Sequence, residues 1–302
     1  MSDMTLRARF KKSTFGENLF DILNILLMLV FVVIILYPIL NLFATSVSDD
    51  GPILRGEVTF YPKGFDLEGY KLIMTNPHIL RSFWNSIVVS LTGCVCSLLT
   101  TSLAAYPLAF SDFYGKKVYN MMVLITMWFS GGIIPTYMVV RTLGLIDKLP
   151  VLVLVPLIGA YNVIILSSFF RSIPASLHES AVLDGANDFT VLFRIVLPLS
   201  KPALATVALW IIVRHWNDFM SPLMYLTDFN KYTMQLVLRD IVLTSSSSMY
   251  DLMAQTSEGG VAAISEQLKS AVLTFSMVPM LILYPFLQKY FTKGIMIGAV
   301  KG

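Results

Sequence analysis

The sequence predicts an all-α integral membrane protein, and three observations carry that reading. Of 302 residues, 56% are hydrophobic and only 14% are charged, and the mean hydropathy of +0.71 is far above that of a domain that must clothe itself in water. Six apolar runs, near 19–43, 82–110, 118–140, 151–169, 203–226 and 271–290, reach or approach the roughly 20 helical residues that cross a bilayer core. None shows the alternation of a barrel strand. The chain therefore reads as a short N-terminal segment (1–18), one membrane domain (19–290) and a C-terminal tail (291–302).

The first run continues past the length of a signal peptide and lacks a small-residue cleavage site, so it is an uncleaved span. Ahead of it stands RARFKK, Arg7 to Lys12, and positive charge close to a span end marks the cytoplasmic side. Six spans then return the C-terminus and the 170–202 stretch to the cytoplasm. The second run carries Gly93, Ser97, Thr101 and Ala105 at a spacing of four, a small-residue face that lets another backbone approach closely. The neighbour is either another helix of this chain or a second copy at a dimer interface. Cys94 and Cys96 lie on different helix faces and form neither a disulfide nor a metal pair. In the third run, SGGIIPT (Ser130 to Thr136) weakens the helix and predicts a bend, beside a transport path or as a packing kink. Longer segments at 44–81 and 227–270 face the other side, and the serines at 245–248 with Gly259 and Gly260 make the second partly loop.

Several chemistries are excluded. The net charge of +3 is small and spread over many loops, which does not suit nucleic acid. His178-Glu179 opens like the zinc motif HExxH, but Val182 stands where the second histidine belongs. No GxxxxGK[ST] phosphate loop occurs, so if ATP is used another subunit binds it. Polar groups at membrane depth are costly and mark partners or water-filled paths. The fifth run holds Arg214, His215, Trp216, Asn217 and Asp218. Arg214 and Asp218, four apart, can pair with each other; alternatively the group lines a path for a hydrophilic solute, with rings against sugar faces and polar groups on hydroxyls. Tyr161 and Asn162 offer the same combination of ring and amide.

Between the fourth and fifth runs lies a stretch built as two short helices (172–200). Ser176 with Glu179 has capping-box spacing, Gly185 supplies a left-handed stop, and Asn187 or Asp188 caps the next helix. There Phe189, Leu192, Phe193 and Val196 make one apolar face until Pro198 ends the helix. Such a pair lies against the base of the membrane domain and presents a docking surface.

The spacing Glu179-x-Ala181-x3-Gly185-x9-Ile195-x-Leu197-Pro198 resembles the EAA motif of ABC importer membrane subunits, with Ser180 where the family often has alanine. The GGIIPT of the third run, the WND of the fifth and the C-terminal GAVKG resemble the carbohydrate-type, maltose-permease-like branch and its oligosaccharide-uptake subgroup, from about residue 70 onward. The resemblance implies a six-helix type I ABC importer transmembrane domain in a bacterial cell membrane, both termini cytoplasmic. It implies a non-catalytic permease subunit taking up a carbohydrate by alternating access, with a homologous second permease as heterodimer partner, an ATPase dimer and an extracytoplasmic solute-binding protein. This chain would bind no cofactor, ATP and Mg residing on the ATPase. Glu179, Ala181 and Gly185 would contact the ATPase, Ile195, Leu197 and Pro198 would anchor that contact, and Lys301 and Gly302 would reach toward the same interface. By position, 244–260 corresponds to the loop that enters the binding protein. A permease for an amino acid, polyamine or glycerol phosphate remains open, as does a non-transporting scaffold with an interfacial helix.

Overall fold

A computed structural model describes residues 15–111, 113–243 and 266–299, with side chains up to 285. Among the described residues the regular elements are all helical, with one isolated bridge between Ser48 and Phe65. The chain divides into two units, residues 1–73 with 263–274, and 74–262 with 275–302.

The first unit begins with α1 (Phe15–Ser46), about 48 Å long at 1.5 Å per residue. It is exposed almost along its whole length, and burial starts only at Ala44 and Ser46. An apolar helix without protein cover belongs against lipid or another chain. The segment after it is folded rather than loose, with α2 (Asp50–Leu54) and α3 (Glu68–Thr75). Ser48 Oγ donates to Ala44 O at 2.6 Å and accepts from Lys63 N at 3.0 Å, while Gln267 Nε2 donates to Asp66 O at 3.2 Å.

The second unit is organised by α4 (Pro77–Phe110). Asn76 Oδ1 accepts from His78 N at 2.9 Å and Ile79 N at 3.3 Å, and Pro77 occupies the first turn, so the helix starts five residues before the expected 82. Its buried side is small and polar, with Ser82, Ser86, Ser90, Gly93, Ser97, Thr101 and Ala105. That face packs against helices of the same chain, α8 (Ala160–Arg171) and α11 (Lys201–Asn217), so the small-residue stripe serves intramolecular packing. The absence of a side chain at Gly93 admits the His215 ring, and an added Cβ would stand 2.7 Å from His215 Cδ2.

Three expected spans are not continuous. The third is broken into α5 (Lys116–Trp128) and α6 (Ile133–Thr142), which meet at 111°. Gly132 sits at φ +83 in the break, and Pro135 falls in the first turn of α6, where its missing N–H costs no helix bond. The fourth is α7 (Val151–Leu154) and α8, separated around Pro156, because proline removes a ladder donor and disfavours helix at the residue before it. The fifth ends at Asn217, since Asp218 is extended (φ −76, ψ 113), and resumes as α12 (Met220–Tyr225). After α13 (Met234–Leu243), the final helix α14 (Glu266–Ala299) runs through the expected tail boundary at 291 without a break. Among the described residues three helices, α1, α4 and the part of α14 to Pro285, are long and apolar enough to cross a membrane alone, and bent pairs raise the number to five. The 244–260 loop, Lys301 and Gly302 lie outside the described residues.

Candidate functional site

At one end of the second unit, α9 (Ala175–Leu183) and α10 (Asp188–Leu199) form the expected helix pair. The start of α9 differs from the capping-box expectation: Pro174 is its N-cap and no side chain caps it, because the helix begins before Ser176 and places that residue inside the first turn. Its end is a Schellman turn, with Gly185 at φ +82, Ala186 N donating to Ala181 O at 2.9 Å and Gly185 N to Val182 O at 3.0 Å. Asn187 Oδ1 then caps α10 by accepting from Thr190 N at 2.8 Å.

Pro198 does not stop α10, which reaches Leu199 through a π turn at Leu192–Val196. The ring of Pro198 crowds the carbonyl four residues back, and the widened turn lets Leu197 N bond to Leu192 O instead. The apolar face also differs. Val191, Leu192 and Val196 are buried, whereas Phe189 and Phe193 are exposed; both registers are apolar, and the aliphatic one packs.

The pair is tied to α4 by polar contacts. His178 stacks on Phe110, centroids 4.8 Å apart and planes 5° from parallel, and its Nε2 lies 3.1 Å from the Tyr106 hydroxyl. Tyr106 donates to Asp188 Oδ1 at 3.1 Å. An ionised carboxylate only accepts, so the histidine Nε2–H donates to the tyrosine oxygen and the chain runs His178 to Tyr106 to Asp188. Just ahead of the pair, Arg171 at the end of α8 donates from Nη2 to Leu108 O at 2.8 Å and so ties α8 to α4 as well. Ala181, one of the three residues expected at the ATPase contact, is 8% exposed and belongs to the core with Tyr106, Leu166 and Phe170. Glu179 and Gly185 are exposed, and open space surrounds the position a Gly185 Cβ would take. Ile195 and Leu197 pack on the same core, while Pro198 is exposed.

The polar residues at membrane depth separate into two sets. Tyr161 is exposed, Arg214 and Asn217 are exposed, and Asp218 is half-buried. Asn162, His215 and Trp216 are buried. Trp216 lies inside the bundle as a strut rather than lining a path: its Nε1 donates to Ser276 O at 3.2 Å and its ring stands edge-on to Phe83 at 5.8 Å. His215 packs on Gly93 and Asn162 beside Gly159. The Arg214 to Asp218 pair is not formed among the described residues; Arg214 Nη2 donates to Pro156 O at 2.8 Å, and Asp218 Oδ1 accepts from Ser221 N at 3.0 Å. The end of α11 before Asp218 removes the helical register such a pair needs. Tyr161 instead meets Trp210, with centroids 5.6 Å apart. Trp210 was not legible as a site residue except as the aromatic one turn before Arg214.

A second joint, also unannounced by any motif, ties the loop after α6 to the loop after α12. Asp147, at φ +57, accepts from Thr227 N and Asp228 N, each at 3.0 Å, and from Lys231 Nζ at 2.6 Å. The Lys231 hydrogen bond and then these two amides hold the Asp147 carboxyl well below the usual carboxylate range, and the same bond raises Lys231.

A helical bundle broken at glycine and proline, with helices long and apolar enough to cross a bilayer, is a polytopic membrane domain. The chain belongs to the family of binding-protein-dependent transport system inner membrane components, which it matches over residues 5–297. It is 39% identical, over 95% of its length and 99% of the relative's, to the polygalacturonan/rhamnogalacturonan transport system permease protein YtcP of Bacillus subtilis (strain 168). It is 29% identical to the arabinooligosaccharides transport system permease protein AraQ of Halalkalibacterium halodurans, over 89% of this chain and 92% of the relative. In the crystal structure of a bacterial ABC transporter involved in the import of the acidic polysaccharide alginate, one chain superposes with a TM-score of 0.85 at 30% identity, covering 92% of this chain and 99% of that one. The all-α fold is thus that of a type I ABC importer transmembrane domain, and the resemblance to carbohydrate-type importer permeases is borne out.

Proposed function

We propose that this chain is a permease subunit of an ATP-driven importer that takes up an oligosaccharide by alternating access. The observation that carries the solute class is the end-to-end likeness to the polygalacturonan/rhamnogalacturonan permease, 39% identical across 99% of that protein. The geometry supports the coupling. Glu179 and Gly185 are presented on a helix pair fixed to α4 through His178, Tyr106 and Asp188, so a push on that pair moves it as a rigid body and passes into the bundle rather than being absorbed locally.

In this reading both termini and the α9–α10 end face the cytoplasm. A separate ATPase dimer holding ATP and Mg docks on Glu179 and Gly185, while Ala181, Ile195 and Leu197 seat the pair on the bundle core. A homologous second permease completes the pore, and an extracytoplasmic solute-binding protein delivers the glycan. The path in this subunit follows Tyr161, Trp210 and Arg214, with Asn217 and Asp218 toward its outer end. Reconstituting the complete complex and measuring solute-dependent ATP hydrolysis tests the proposal. Stimulation by an oligosaccharide is expected; stimulation by an amino acid and by no glycan would sink it.

A further inference from the structure

We infer that Arg214 is the specificity-determining residue of the solute path and that it selects glycans bearing a carboxylate, an inference that rests on the oligosaccharide-importer reading above. A guanidinium carries five N–H donors, and at Arg214 one nitrogen is committed to the free carbonyl of Pro156 at 2.8 Å. Among the described residues the remaining donors have no acceptor, and the acid four residues on, Asp218, uses its Oδ1 on Ser221 N and is in none of the ion pairs formed there. The Pro156 bond aims the head group, since it fixes one side of the planar fork and leaves the other free for a bidentate partner.

The environment says what that partner is. Arg214 is the fourteenth residue of the seventeen in α11, deep enough that an exposed guanidinium facing hydrocarbon would be costly, so its exposed side faces water or a neighbouring subunit. One helical turn earlier on the same face is Trp210, whose ring is 5.6 Å from that of Tyr161 and inclined to it by 38°. Both rings are accessible, Tyr161 at 51% and Trp210 at 36%. Rings of this kind take the apolar face of a pyranose, and a fork next to them takes a planar carboxylate. A sugar acid supplies both features on one residue of a chain. A lipid headgroup phosphate would satisfy the fork alone and leave the rings without a role.

The test uses the complete complex with its binding protein in proteoliposomes of uncharged lipid, and reads ATP hydrolysis stimulated by acidic trisaccharides of galacturonate and mannuronate and by their methyl esters. Each ester keeps the sugar and masks the charge. The acid is expected to be preferred by the wild type, and Arg214→Gln to lower the acid-to-ester ratio by roughly tenfold or more, as loss of a charge-assisted hydrogen bond predicts. Arg214→Lys, which keeps the charge, retains part of the ratio and shows that the loss is not misfolding. Trp210→Ala lowers both responses together. An unchanged ratio in Arg214→Gln, or a wild type that responds to neutral glycans and to none of the acids, overturns this inference while leaving oligosaccharide import standing. A complex that responds to no glycan at all overturns the import reading itself.

Discussion

The Tyr106 hydroxyl donates to Asp188 Oδ1 at 3.1 Å and so joins the end of α4 to the first turn of α10. Because Tyr106 also accepts from His178 on α9, one hydroxyl holds both members of the helix pair. Tyr106→Phe removes both bonds without removing the ring, and a hydrogen bond to a charged acceptor is worth about 1.5–3 kcal/mol. We expect hydrogen–deuterium exchange of the α9–α10 amides to rise and solute-stimulated ATP turnover to fall severalfold while the subunits still co-purify. The double variant Tyr106→Phe/Asp188→Ala should fall little further than Tyr106→Phe, since both changes remove the same Tyr106–Asp188 bond. Full additivity would show that the bond carries no coupling.

At Gly93 the ring of His215 on α11 packs directly against the backbone of α4. An added Cβ would lie 2.7 Å from Cδ2 and 2.8 Å from Cε1 of His215, and overpacking of this kind costs about 1–3 kcal/mol. Gly93→Ala should therefore lower the thermal unfolding temperature in detergent, and adding His215→Ala should restore part of it by vacating the space. A Gly93→Ala protein as stable as the wild type would show that the two helices separate freely.

The same contrast between local and distant signals explains what could be read in advance. Gly185 and Asn187 act on backbone groups within five residues, so the αL stop and the Asn187 cap were legible from residue types alone. The break at Gly131-Gly132 was legible for the same reason, though its 111° angle was not. Tyr161 with Trp210, and Arg214 with the Pro156 carbonyl, join residues about fifty apart in sequence. Periodicity says which residues share a face and is silent on which face meets which. The inward turn of Ala181 had no signal, because α9 has apolar residues on several sides. In α10 two overlapping apolar faces competed, and only packing of Val191, Leu192 and Val196 chose between them.

The Asp147 joint makes a prediction about pH. Its carboxyl is lowered from the ordinary value of about 3.9, first by the Lys231 hydrogen bond and then by the Asp228 and Thr227 amides. Its contribution is therefore fully present above about pH 4 and is lost as the pH falls through the lowered folded value. Lys231 is raised, so its share is present below about pH 10 and is lost as the pH rises through the raised value. The Thr227 and Asp228 amides should stay protected from exchange, after correction for intrinsic rates, between roughly pH 5 and 9. Asp147→Asn should speed their exchange at neutral pH and flatten the acid dependence. An acid limb equally steep in the variant would assign it to other carboxylates.

At Gly185 strain and docking can be separated. The residue sits at φ +82 with nothing near the position of a Cβ, so Gly185→Ala carries only the left-handed backbone cost of about 1 kcal/mol. We expect nearly normal yield and assembly. Gly185→Trp adds bulk on the exposed side of the Schellman turn and should abolish ATPase co-purification. Equal behaviour of the two variants would show that this turn is not a contact.

The central claim is that the exposed face of α9 transmits ATPase closure to the spans, and site-specific cross-linking reads it directly. With Cys94 and Cys96 replaced by serine, Glu179→Cys is expected to cross-link to the ATPase subunit in the assembled complex, with a yield that changes between nucleotide-free and ATP-bound states. Ala181→Cys, on the buried side of the same helix, should not. Absence of any Glu179→Cys cross-link in a complex that still imports its solute, or equal labelling from both positions, would contradict the account.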